Sequence, residues 1–190
     1  RSRSRIPAMK ISLGSGGVRF PGWTHVDADP QWQPEVLADL SGPLPFPDAS
    51  ADFMQSEDFL HQLSFVQAEA FFRECHRVLK PGGVMRLLTP DLEILVRMYQ
   101  QRDPRLIELW EREVGIPLLT RTHGELLHTA LCFANQKSFF DEETLRAMAE
   151  PIGFEVRRVA YNESAHPELR GLDLRSPDNA ISMYFDLTRR

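Results

Sequence analysis

The strongest constraint in the chain is Lys10-Ile11-Ser12-Leu13-Gly14-Ser15-Gly16-Gly17, with Thr24-His25-Val26-Asp27 shortly after it. A short run of alternating polarity has the period of a strand, and it ends in three glycines within four residues. Glycines at a strand's carboxyl end let the backbone turn sharply and approach a ligand closely, with no Cβ in the way. The second β-favouring run ends in Asp27, and a carboxylate at such a tip can accept both hydroxyl hydrogens of a ribose. Together these describe a nucleoside pocket at the edge of a parallel sheet. Each half alone is also what a plain loop or an aspartate-capped turn presents. The rest of the chain has to decide.

Strands are expected at Met9 to Leu13, Trp23 to Asp27 and Glu35 to Asp39, with a fourth beginning at Ala51 to Met54. The stretch between the first two is short for a parallel crossover, which takes about a dozen residues or more. Either its helix has shrunk to a turn or the two strands are antiparallel. Gly42-Pro43-Leu44-Pro45-Phe46-Pro47-Asp48 can be neither helix nor central strand. Ser64 and Gln67 form a capping box. The helix they open runs to about Leu79, with Val66, Ala70, Phe71, Cys75, Val78 and Leu79 as its apolar side. Lys80-Pro81-Gly82-Gly83 stops it, glycine supplying a left-handed cap. A fifth strand covers Val84 to Thr89, and helices follow from Asp91 and Asp103-Pro104. Residues 115–138 carry little pattern, Asp141 opens a further helix, and strands near Glu155–Tyr161 and Ala180–Leu187 close the chain. The order is that of an α/β sheet layered with helices and ending in a strand pair.

At 190 residues the chain fits one domain, expected over 9–190, with Arg1-Ser2-Arg3-Ser4-Arg5 at the head of a disordered leader or expression remnant at 1–8. No apolar run reaches the roughly 18 residues of a membrane span. The net charge of −5 argues against a polyphosphate partner such as nucleic acid. Cys75 and Cys132 read as reduced core residues of a cytoplasmic protein. His123 and His128 lie five apart with no clear third ligand, so no metal site is expected.

The series Leu13-Gly14-Ser15-Gly16, Val26-Asp27, Asp39-Leu40, Pro45-Phe46-Pro47-Asp48, Arg77-Val78-Leu79-Lys80-Pro81-Gly82-Gly83 and Thr89-Pro90-Asp91-Leu92-Glu93 resembles class I S-adenosylmethionine-dependent methyltransferases. It looks most like a small bacterial subfamily with a shortened first crossover, from about Lys10 to Leu187. The resemblance implies a Rossmann-like, mostly parallel sheet with an antiparallel terminal pair and helices on both faces. It implies S-adenosylmethionine as cofactor and S-adenosylhomocysteine as product. Gly14, Ser15 and Gly16 would wrap the amino-acid tail, and Asp27, with Ala28 beside it, would take the ribose. Asp39 would accept from the adenine amino group, with Leu40 near the ring. Ser56 and Glu57 would face the tail's ammonium and carboxylate.

Relatives often show Glu-His where this chain has His61-Gln62, and a histidine where it has Gln136. The acceptor or the base therefore differs from theirs if those slots serve the acceptor. In-line methyl transfer asks the protein mainly for orientation and electrostatics. His61 and Asp91 are the candidate catalytic groups at the rim, Asp91 also being a helix cap. Residues 93–138 would cover an acceptor site, with Leu106, Leu109, Trp110, Leu118 and Leu119 as its apolar content. The expected reaction is transfer to an oxygen or nitrogen of a small-molecule or glycan-type acceptor. The alternative is a non-catalytic cofactor-binding partner or regulatory domain. A dehydrogenase fits less well, because the helix after the glycine turn is nearly missing.

Overall fold

The computed structural model of the protein describes residues 8–133 and 136–190. The leader expected at 1–8 lies, apart from Ala8, outside the described residues. Seven strands form one sheet: β1 (Lys10–Leu13), β2 (Thr24–Asp27), β3 (Val36–Leu37), β4 (Ala51–Glu57), β5 (Leu79–Pro90), β6 (Phe154–Val159) and β7 (Ser182–Arg189), in the order β3-β2-β1-β4-β5-β7-β6. β1 pairs in parallel with both β2 and β4, which settles the short crossover: the strands are parallel and the connection is turns without a helix. β7 enters antiparallel between β5 and β6.

Alternation divides the residues of each strand between two faces. Ile11, Leu13, Met54, Met85, Leu87, Phe185 and Leu187 turn to one face and form the main core with α1 (Phe65–Val78) and α5 (Glu142–Ala149). The opposite face carries a polar row in strand register: His25, Ser12, Gln55, Arg86 and Asp186, all buried. Phe20, Trp23 and the β6–β7 connection, with its single helical turn Pro167–Leu169, cover that side.

The Ser64–Gln67 capping box forms in both directions. The buried stripe of α1 is Ala68, Phe71, Phe72, Cys75 and Val78. Val66 is 79% exposed, and Ala70 is also outside, because at 3.6 residues per turn both fall off the stripe that Phe71 and Val78 define. The helix stop also differs from expectation. Leu79 is already extended at φ −62°, ψ 142°, and Gly82, at φ +77°, serves a turn inside β5 rather than a helix cap. Cys75 is core, but Cys132 is exposed.

Three further helices, α2 (Leu92–Gln100), α3 (Pro104–Leu109) and α4 (His123–Cys132), stand beyond the end of β5. They build a second small core from Leu95, Leu106, Trp110, Leu118 and Leu126. Leu119, expected in the apolar cover, is 92% exposed, and Leu109 is half-buried. Among the described residues no helix is long and apolar enough to cross a membrane.

Candidate functional site

The parallel strands β1, β2 and β4 end side by side, and their carboxyl ends gather the residues singled out above. Gly14 turns the chain at φ +66°, and a Cβ there would stand 2.8 Å from the Phe59 ring. Its N–H donates to Val26 O at 2.9 Å, so the turn is laid directly on β2. Asp27 closes the arrangement: Oδ2 accepts from Gly16 N at 2.8 Å and Oδ1 from Asp29 N at 2.9 Å. A carboxylate has about four lone-pair sites, so each oxygen keeps one for a ligand. Ala28 beside it is exposed.

Asp39 is exposed at the rim one strand further out, and Ser41 N–H on its Oδ1 holds the carboxyl below its usual range. Leu40 is 2% exposed and belongs to the main core. Ser15 and Ser56 are buried, and neither hydroxyl has a hydrogen-bond partner among the described residues.

A cavity of about 350 Å³ opens beside the glycine turn. Ser12 and Gln55, joined Oγ to Oε1 at 2.9 Å, line it from the polar face of the sheet. Gly14, Ser15, Glu57 and Asp58 line it at the strand ends. Val18 and Phe20 contribute from the β1–β2 connection, Leu174 and Arg175 from the β6–β7 connection. Glu57 accepts from the amides of Leu174 (3.1 Å) and Arg175 (2.7 Å), and Arg175 Nε donates to Asp58 at 2.7 Å. Burial raises the Glu57 carboxyl to about 7, with Asp58 and Asp173 adding to the rise and the two amides opposing it.

His61 sits on the single turn Leu60–Gln62, 7% exposed, and is not among the residues lining this cavity. Burial pushes its imidazole below the usual range; the Arg175 charge adds to this and Asp58 opposes it. Its carbonyl accepts from Lys137 N and Ser138 N at 2.9 and 3.2 Å, which brings the 136–138 segment alongside. His61 Nδ1, Gln136 Oε1 and Ser138 Oγ are buried and lack partners among the described residues. Asp91 is differently placed: 1% exposed, it caps α2 through Oδ1 and receives Arg158 Nη2 on Oδ2. His123, one of the two histidines weighed for a metal, is bonded to Asp103 O through Nε2 at 2.9 Å.

The strand order, the cavity and the acids at the strand tips can be set beside known proteins. Residues 24–87 match the methyltransferase domain family. The matched stretch, about a third of the chain, is similar to S-adenosylmethionine-dependent methyltransferases. A probable S-adenosylmethionine-dependent methyltransferase of Mycolicibacterium smegmatis is 39% identical over 87 residues, 46% of this chain and 30% of that protein. The match thus spans about a third of the relative's length. The fold is shared with an S-adenosylmethionine-dependent methyltransferase from Mesorhizobium loti (18% identity, TM-score 0.57, 95% of this chain and 90% of that one). It is shared also with one from Archaeoglobus fulgidus (12% identity, TM-score 0.58, 96% and 86%).

Of the residues that line the cavity, sequence reasoning missed Ser12, Gln55, Asp58, Leu174 and Arg175. Ser12 and Gln55 had a signal: alternation places both on the opposite face from Ile11, Leu13 and Met54. Arg175 had none, since its partner Asp58 lies 117 positions away.

Proposed function

We propose that the chain binds S-adenosylmethionine at the carboxyl edge of β1, β2 and β4 and transfers its methyl group to an oxygen or nitrogen of a small-molecule or glycan-type acceptor. The observation that carries this reading is the Asp27 carboxylate, fixed by Gly16 N and Asp29 N with lone pairs to spare, one strand over from a turn that tolerates no side chain at Gly14. The site fits such a cofactor: Asp27 suits a ribose diol, exposed Asp39 an adenine amino group, and Ser15, Ser56 and Glu57 the polar amino-acid tail.

When bound, the cofactor supplies a methyl group on a sulfonium, an electrophile that needs no activation by the protein. The chain's own part is to orient and to exclude water. Gly14 and Gly16 bring the backbone close, and Glu57 meets an ammonium once it is ionised. The α2–α4 cover, with its separate core, forms the roof of the acceptor side. His61 Nδ1, Gln136 Oε1 and Ser138 Oγ, three buried polar atoms without partners among the described residues and on segments bonded to each other, suit the polar end of an acceptor. A neutral His61 imidazole is then available to take a proton or to orient the acceptor.

A second reading, a cofactor-binding domain without turnover, draws on Asp91. Both of its oxygens are engaged by the protein, which leaves His61 as the one base of the two candidates.

Calorimetric titration with S-adenosylhomocysteine tests the cofactor reading. Asp27→Ala loses two charge-assisted hydrogen bonds, roughly 1.5–3 kcal/mol each before compensation by water. Unchanged affinity in that variant removes Asp27 from the site. Formation of S-adenosylhomocysteine from S-adenosylmethionine with any of a panel of hydroxyl- and amine-bearing acceptors separates catalysis from binding alone.

A further inference from the structure

A fully buried arginine stands in the middle of the sheet, a costly position for a charge. Arg86 lies on β5 with Gln55 and Asp186 as its cross-strand neighbours, on the face away from α1. Its guanidinium is saturated. Asp173 takes Nε at 2.9 Å and also Nη2; Glu163 O and Asp186 Oδ1 take Nη1 at 2.9 and 3.1 Å; Ala160 O takes Nη2 at 3.1 Å. All of these bonds except the one to Asp186 go to the β6–β7 connection. Replacing a buried ion cluster by well-packed apolar residues is often neutral or stabilising, so stability alone is a poor account of it. What the cluster does is fix one stretch of chain.

That stretch leads straight to the cavity. Asp173 is clasped a second time by Asn162, whose N–H it accepts at 2.6 Å and whose Oδ1 accepts the Asp173 N–H at 2.8 Å. The next two residues are Leu174 and Arg175, whose amides hold Glu57, while the Arg175 side chain holds Asp58. Within three positions the backbone passes from the buried arginine to the lining of the cavity.

We propose that Arg86 is a positioning residue for the cavity: through Asp173 it fixes the Leu174–Arg175 step, whose amides aim the Glu57 carboxylate at the amino-acid tail of the cofactor. This rests on the reading that the cavity receives that tail. The β6–β7 connection is then a rigid wall of the site, set in place from the sheet.

Two variants test it. Asp173→Asn keeps the shape and leaves Asp186 to neutralise Arg86. Asn162→Gly removes the second clasp outside the core, at a left-handed φ of +56° that glycine adopts freely. Each is titrated, well below its unfolding transition, with S-adenosylhomocysteine and with 5′-methylthioadenosine, which keeps the nucleoside and lacks the amino-acid tail.

The expected result is about tenfold weaker binding of S-adenosylhomocysteine, the size of one misaligned hydrogen bond, with the thioadenosine changed by less than about twofold. Amide exchange should rise at Leu174 and Arg175 and stay constant in α1. If Asp173→Asn does not fold, Asn162→Gly decides. Unchanged affinity in the folded variants, or equal weakening of both ligands, overturns the positioning role and leaves the cluster as support for the fold. Failure of the wild type to bind either ligand overturns the cofactor reading itself, and this proposal with it.

Discussion

Arg158 Nη2 lies 2.8 Å from Asp91 Oδ2, so the carboxylate that caps α2 is also tied to β6 across the sheet. The other oxygen takes the N–H groups of Glu93 and Ile94 at 2.9 and 3.4 Å. Asp91→Ala therefore loses a cap of about 1–2 kcal/mol. For a chain of this size that is a fall in Tm of roughly 2–8 °C by calorimetry. Turnover measured below the new transition should stay within about threefold of wild type; a much larger loss would give Asp91 a part in the chemistry.

Glu57 makes both binding and stability depend on pH. Its carboxyl is raised from an ordinary 4.5 to about 7, chiefly by burial. Between those values the unfolded chain has released the proton that the folded chain retains. The Glu57 contribution to stability is thus full below about 4.5 and declines as pH rises to about 7. Ligand binding runs the other way, because an ammonium needs the ionised carboxylate. Affinity for S-adenosylhomocysteine should rise about tenfold from pH ~6 to pH ~8, as the ionised fraction does. Glu57→Gln should flatten the profile, and a flat wild-type profile rules out this role.

The helices α2 to α4, proposed as the cover, form a separate unit of packing. Trp110 anchors it, with its indole N–H on Ile116 O at 2.8 Å and its ring edge-on to Phe133 at 5.6 Å. Trp110→Ala should loosen this small core by about 3 kcal/mol. Hydrogen exchange should speed up in α3 and α4 while α1 is unaffected, since α1 belongs to the main core. In the wild type, exchange in α3 and α4 should slow when cofactor or acceptor binds. No protection on binding would mean that the cover does not close on the site.

His61 tests the acceptor side. Burial pushes its imidazole below the usual range, and Nδ1 lacks a partner among the described residues. His61→Ala should lower turnover by about 10²-fold or more and leave S-adenosylhomocysteine affinity within about twofold. A variant with normal turnover would return His61 to a packing role.

Much of this molecule was legible in its residues because the signals were local. The Ser64–Gln67 box and the Asp91 and Asp141 caps depend on neighbours two or three positions away, and the Gly14 turn and Asp27 on partners within about a dozen. On the apolar side of α1, Phe71, Cys75, Val78 and Leu79 are buried as expected, and only Val66 and Ala70 fall outside, being as apolar as the residues that are buried. Pro81-Gly82 signals a helix cap in sequence, yet a turn within a strand uses the same residues. What stayed hidden is the far wall of the cavity. Leu174 and Arg175 bond directly to Glu57 and Asp58, and no periodicity announces a contact across more than a hundred positions.

The last strand in chain order is an inner strand of the sheet: β7 lies between β5 and β6 and shares a long ladder with each. A ribosome releasing this chain therefore exposes β5 with one edge unpaired, and β6 with no neighbour, until Ser182–Arg189 has emerged. The sheet cannot assemble strand by strand as it is synthesised. Arg86 waits through the same interval for Asp186, the second of its two counter-ions after Asp173, so the buried cluster and the closed sheet are completed together.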